Sequence, residues 1–119
     1  MANQTYWQFL LEIIDLWSKY QTAKKLYINA TNEETHFKVA GVIDRYYGGN
    51  IAKLENAVSS MSNRLDSKLA RFDYYCRRLW VQPVTRDWLE RNVPDGKAAG
   101  KYRRFIRKNF DDDSEPTSL

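Results

Sequence analysis

The chain of 119 residues holds one cysteine and one histidine. A lone cysteine excludes an intramolecular disulfide, and the pair is too small for a Cys/His zinc site. His36 has no Asp or Cys close by in sequence with which to form a nucleophile–base pair. It reads as a surface or boundary residue, and Cys76, on an apolar stripe, reads as core. The three prolines and five glycines leave few forced breaks. Alternating apolar–polar runs and Asn-Gly turns are absent, which argues against hairpins. There is no apolar run of membrane-spanning length, because Glu12, Asp15 and Lys19 interrupt the most apolar segment. Met1-Ala-Asn-Gln lacks the basic start of a secretory signal. Gly48-Gly49 is followed by no Gly-Lys-Ser/Thr and so is not a phosphate loop. Asp111–Asp113 lies in a tail that would not preorganise a metal site. The expectation is a soluble, cytoplasmic protein that is not an enzyme, with no catalytic residues, metal ligands or cofactor.

What is present is apolar and aromatic material at helical spacing. Hydrophobic residues make up 43% of the chain and aromatics 14%, enough for a core in one small domain. The first helix is expected over about residues 5–27. Tyr6, Leu10, Ile13, Trp17 and Tyr20 form its stripe, and Phe9, Leu11, Ile14 and Leu16 widen it. A face this wide belongs at the centre of a bundle or at a subunit interface. Thr31 and Glu34 have the spacing of a capping box for a second helix, with Phe37, Ala40, Ile43 and Tyr47 inward and Gly48-Gly49 as its stop. Asn50 would cap a third helix over about 51–79. Its stripe of Ile51, Leu54, Val58, Met61, Leu65, Leu69, Phe72, Cys76 and Leu79 is unbroken. Gln82-Pro83 would end it. A short fourth helix, capped by Thr85, is expected over 86–92. The fifth is expected over 97–110, with Tyr102, Phe105 and Ile106 inward. The predicted fold is all-α, a bundle of four or five helices with one long central helix. Residues 1–110 would form a single domain, followed by a flexible acidic tail at 111–119.

Charge is distributed unevenly. Residues 1–49 are neutral, with five acids and five bases. Residues 50–110 carry 14 Lys and Arg against six Asp and Glu, and the last nine residues carry four acids and no base. On a helical wheel of about 100° per residue, Lys53, Arg64, Lys68, Arg71 and Arg78 flank one side of the long helix's apolar stripe. Glu55, Asp66 and Asp73 flank the other, together with Arg77. In the fifth helix Lys97, Lys101, Arg104 and Lys108 recur at four, three and four, and Arg103 and Arg107 broaden the stripe. Like charges at these spacings repel within the helix, so a phosphate ligand would relieve a built-in cost. Arg outnumbers Lys nine to five in the basic half. Arg matches phosphate bidentately and stacks on bases. Tyr74, Tyr75, Tyr102 and Trp80 lie among these cations, a mixture suited to single-stranded nucleic acid. The candidate nucleic-acid-binding residues are therefore Lys53, Arg64, Lys68, Arg71, Arg78, Lys97, Lys101, Arg103, Arg104, Arg107 and Lys108. RNA or single-stranded DNA is favoured as partner. The acidic tail reads first as a solubilising end, and it would compete with phosphate if it folded back on the fifth helix.

The long basic-flanked helix, the stripe from Lys97 to Lys108 and the missing active site make the chain resemble the small helical subunits of CRISPR effector complexes of the Cascade type. It is similar also to the basic helical accessory proteins of diversity-generating reverse transcriptases. The resemblance implies a non-catalytic subunit that holds nucleic-acid backbone inside a larger assembly. Other partners remain in view: protein subunits or self-association through the apolar face of the first helix, and an acidic protein on the basic face. A membrane is a weaker alternative, through Phe105, Ile106 and Phe110.

Overall fold

The computed structural model describes residues 5–109. The fold is an all-α, five-helix bundle, with no strand among the described residues. The helices are α1 (Tyr6–Ala30), α2 (His36–Tyr47), α3 (Ile51–Arg78), α4 (Arg86–Asn92) and α5 (Gly96–Asn109). They pack as two compact units. One comprises the described parts of Met1–Ser18 and Leu65–Leu119, and the other is Lys19–Arg64. The acidic segment 111–119 and Phe110 lie outside the described residues.

In the first unit α1 starts with a capping box the sequence reading did not identify. The Gln8 amide donates to Thr5 Oγ1 at 3.2 Å, and the Thr5 amide donates to Gln8 Oε1 at 3.0 Å. Two amides left over at a helix start are satisfied this way. The wide face of α1 is then consumed internally. Tyr6, Trp7, Leu10, Ile13, Ile14 and Trp17 are all buried, as are Leu65, Phe72 and Cys76 of α3 and Leu89, Val93, Ala99 and Ile106 further on. Of the two options for α1, centre of a bundle or subunit interface, the burial fits the first, and of the expected face Leu11 alone is left half-buried. The Phe72 ring sits 5.3 Å from Tyr6 and 5.1 Å from Phe9, centroid to centroid. The Trp17 indole donates to the Val93 carbonyl at 2.7 Å, which ties α1 to the end of α4. Thr85 caps α4 as expected, accepting from the Trp88 amide at 3.1 Å. Asp95 caps α5, accepting from the Ala98 amide at 2.8 Å.

The second unit has a smaller core of Ala23, Ala30, Ile43 and Leu54, with Leu26, Tyr27, Val39, Tyr47, Val58 and Met61 packed around it. Three sequence expectations fail here. α1 runs on to Ala30, because Leu26 and Tyr27 still have a core to pack against. Thr31 then belongs to the end of α1: its hydroxyl donates to the Tyr27 and Ile28 carbonyls at 3.0 and 3.2 Å. The Thr31–Glu34 box does not form, and the Glu34 amide is taken by the Asn32 side chain at 2.8 Å. α2 therefore starts late, at His36, and its inner face is Val39, Ile43 and Tyr47 rather than Phe37 and Ala40. Phe37 is 64% exposed, and Val42 and Tyr46 are exposed as well. Gly48 and Gly49 end α2 as expected, with φ of 61° and 72°. Asn50 caps α3, its side chain accepting from the Ala52 amide at 2.9 Å.

The C-terminus of α3 holds the one non-glycine residue with positive φ among those described. Trp80 sits at φ 59° and is 95% exposed. The Val81 amide donates to the Cys76 carbonyl at 3.1 Å and the Trp80 amide to Arg77 at 3.3 Å, the paired bonds of a Schellman stop. Glycine normally fills this place because its left-handed backbone costs nothing. Here the stop precedes the break expected at Gln82-Pro83, and Leu79 lies just beyond the helix. Trp80→Gly is expected to raise stability by about 1 kcal/mol by removing the left-handed penalty, since an exposed ring loses almost no burial. Urea unfolding of the two proteins checks this, and a destabilised variant would refute it.

Candidate nucleic-acid interface

α5 sorts its side chains sharply. At about 100° per residue, Lys97, Lys101, Arg104 and Lys108 share one face, and all four are exposed. The buried Ala99 and Ile106 lie on the opposite face, with Tyr102 half-buried beside them. Arg107 is exposed at the edge of the stripe. Among the described residues no carboxylate pairs with any of these five cations. Arg107 and Lys108 are in the last turn, where the helix dipole favours positive charge. Phe105, expected inward, is 53% exposed, because Ala99 and Ile106 set the buried line and leave it on the flank. Ile106, one of the three apolar residues that a membrane would need, is committed to the core. No described helix is long and apolar enough to cross a membrane.

Arg103 does not belong to the outward stripe. It lies on the inner edge of α5, half-buried, and its guanidinium donates to Asp15 Oδ1 of α1 at 2.8 Å. Lys68 is likewise engaged: its ammonium is 3.0 Å from Glu12 Oε1 and 6.0 Å from the centre of the Phe9 ring. Both candidates are anchors between helices. Two acids of the other flank of α3 are also paired, one across helices and one within α3. Asp66 pairs with Arg86 of α4 at 2.9 Å, and Asp73 pairs with Arg77 one turn on, also at 2.9 Å. The sorting of charge along α3 thus serves the chain's own packing at Lys68 and Asp66, while Arg77 on the acidic side pairs with Asp73 along the same helix.

Arg71 and Arg78, by contrast, are exposed and line an open groove of about 450 Å³ with Phe9, Ala70, Tyr74 and Tyr75. The Arg78 guanidinium lies 5.9 Å from the Tyr74 ring centre. The Tyr75 ring packs on Phe9 at 5.8 Å. Among the described residues no acidic side chain lines the groove. The aromatic half of this arrangement is absent from the residues selected by charge alone. Its signal was present as Arg71-x-x-Tyr74-Tyr75-x-x-Arg78, one helical face by spacing. Lys53 and Arg64 belong to the other unit, where both are exposed.

Two core groups of this unit have shifted titrations. Burial, and then the nearby Asp73 charge, push the Cys76 thiol from its ordinary 9.0 up to about 11. Burial, and then Cys76, raise the Tyr6 hydroxyl well above the usual phenol range. Both groups hold their protons longer folded than unfolded. The stability that Cys76 contributes is therefore complete below pH 9 and declines as pH rises from 9 to 11, where the unfolded thiol has lost its proton and the folded one has not. The slope is about 1.4 kcal/mol per pH unit for one such group. Urea midpoints between pH 7.5 and 10.5 are expected to show this decline, and Cys76→Ala is expected to flatten it. Parallel curves for the two proteins would refute the assignment.

Among the described residues no group of three or more His, Cys, Asp or Glu could hold a metal ion. What the site offers is positive charge on a fixed helical face, with a second cationic and aromatic patch on α3 of the same unit. Comparison with protein-family models, curated proteins and solved structures gives no match to this chain.

Proposed function

We propose that this protein is a non-catalytic, cytoplasmic nucleic-acid-binding subunit of a larger nucleoprotein assembly. It would grip phosphate backbone without reading base sequence. The observation that carries the reading is the exposed line Lys97, Lys101, Arg104 and Lys108, with Arg107 beside it and no carboxylate among the described residues to neutralise it. Each like-charged neighbour three or four residues away costs the helix about 0.2–0.5 kcal/mol, and a row of phosphates relieves that repulsion. Arg71 and Arg78 supply the second contact; Lys53 and Arg64 remain candidates of the other unit. Lys68 and Arg103 act by holding helices together. A place like that of the CRISPR small subunits fits this chemistry.

Contacts of this type fix position and carry little sequence information. Binding to single-stranded oligonucleotides of unrelated sequence should be similar, and log affinity should fall linearly with log salt as counterions are released. Fluorescence anisotropy with labelled oligonucleotides at several salt concentrations measures both. A complex insensitive to salt, or no binding at low salt, would contradict the proposal. A second reading, assembly with an acidic protein, draws support from the exposed Phe37, Val42 and Tyr46 of α2. Protein co-eluting with the native chain after nuclease treatment favours that reading.

A further inference from the structure

We infer that the α3 groove takes an unpaired base of a single-stranded nucleic acid, with Tyr74 as the stacking surface and Arg71 and Arg78 as its flanking phosphate clamps. This rests on the proposed nucleic-acid reading and adds strand selectivity to it. Arg71, Tyr74, Tyr75 and Arg78 fall at i, i+3, i+4 and i+7 of α3, so one face presents cation, two rings and cation in order. The two arginines are two helical turns apart, about 10.5 Å along the axis. Between them the rings differ in role. Tyr75, half-buried, lies against Phe9 and forms the floor. Tyr74 is 66% exposed, so its ring is open to a ligand.

The chemistry selects the occupant. A groove lined by three rings and an alanine, edged by two guanidinium groups and by no carboxylate of the described residues, fits a flat aromatic body carrying negative charge. Its volume of about 450 Å³ lies within the range of small-ligand sites. A nucleotide meets both requirements: the base stacks on Tyr74 and the phosphates meet the arginines. In a duplex the bases are already stacked and their faces inaccessible, so only the backbone term would remain. The Arg78 guanidinium, 5.9 Å from the ring it would share with the base, can keep its cation–π contact while reaching outward.

The test compares three labelled probes of equal length at one low salt concentration: a single-stranded oligothymidylate, an abasic strand with the same phosphates, and a duplex. The wild-type chain is expected to bind the oligothymidylate at least about fivefold more tightly than the abasic strand, the lower end of one stacked base. Tyr74→Ala, at an exposed position, is expected to remove that preference and leave abasic binding unchanged. Tyr74→Phe is expected to keep it. Equal binding of base-bearing and abasic strands by the wild type, or a preference that survives Tyr74→Ala, would overturn the inference while leaving backbone binding intact. Failure of all three probes to bind would overturn both. Circular dichroism of each variant confirms that α3 is intact.

Discussion

Reversing two charges on α5, as Lys101→Glu with Arg104→Glu, is expected to weaken polyanion binding by on the order of a hundredfold at low salt and to stabilise the fold slightly. The two effects have one origin. In the wild type Lys97 faces Lys101 and Arg104 faces Lys108, each four residues apart, so both pairs repel. After the reversal both pairs attract, and the one between residues 104 and 108 has the favoured order of acid before base. The swing amounts to about 0.4–1 kcal/mol for each pair, or about 1–2 kcal/mol in total. Binding moves the other way, because two phosphate contacts vanish and two repulsive ones replace them. The slope of log affinity against log salt should become shallower by about two, one for each lost contact. A protein that melts at the same or higher temperature yet binds far less cannot have lost affinity by unfolding. An unchanged salt slope would show that these side chains do not meet phosphate.

The second large effect is on stability. Phe72→Ala is expected to cost about 3–5 kcal/mol, much of the ~5–15 kcal/mol available to a small domain. The ring is fully buried and touches both Tyr6 and Phe9, on a helix pair that has to hold together for the first unit to exist. Its removal leaves a cavity that two large aromatic neighbours cannot close by small shifts. Tyr6→Phe is the informative control. The Tyr6 hydroxyl is buried with no hydrogen-bond partner among the described residues. Losing it should be neutral or raise stability by about 1 kcal/mol, since an unsatisfied buried polar group is a standing cost. Urea unfolding of the three proteins checks the pair. A Phe72→Ala loss below about 1 kcal/mol, smaller than the usual range for such a change, would mean that this cluster is not the core.

Much of this protein could be read before any coordinate. The long spacing of Leu54, Leu65, Phe72 and Cys76 has no sheet solution, and these four are the buried residues of α3. Thr85 and Asn50 cap where their side chains allow, because an N-cap is decided within a few residues of chain. Elsewhere local signals competed with packing and lost. Thr31 had the right neighbour for a capping box, but the core around Leu26 and Tyr27 carried α1 one turn further and gave its hydroxyl to carbonyls instead. The stop at Trp80 has no sequence signature at all, since a tryptophan at a left-handed position contradicts residue preference.

The charge pattern divides along the same line. Sequence alone determined that the basic residues gather in the second half of the chain and that α5 carries a coherent cationic face, since helical periodicity is a local property of the backbone. It determined the helical fold class for the same reason. Only tertiary structure decided which cations remain available. Lys68 and Arg103 lie in cationic stripes by spacing, yet each meets a carboxylate of α1 more than fifty residues away, a contact that exists only once helices pack. Packing likewise buried the broad apolar face of α1, and it placed Phe9 against Tyr75 to complete a groove whose parts lie far apart in the chain. Spacing fixes which side chains share a face; the neighbouring helix decides which of those faces still meets solvent.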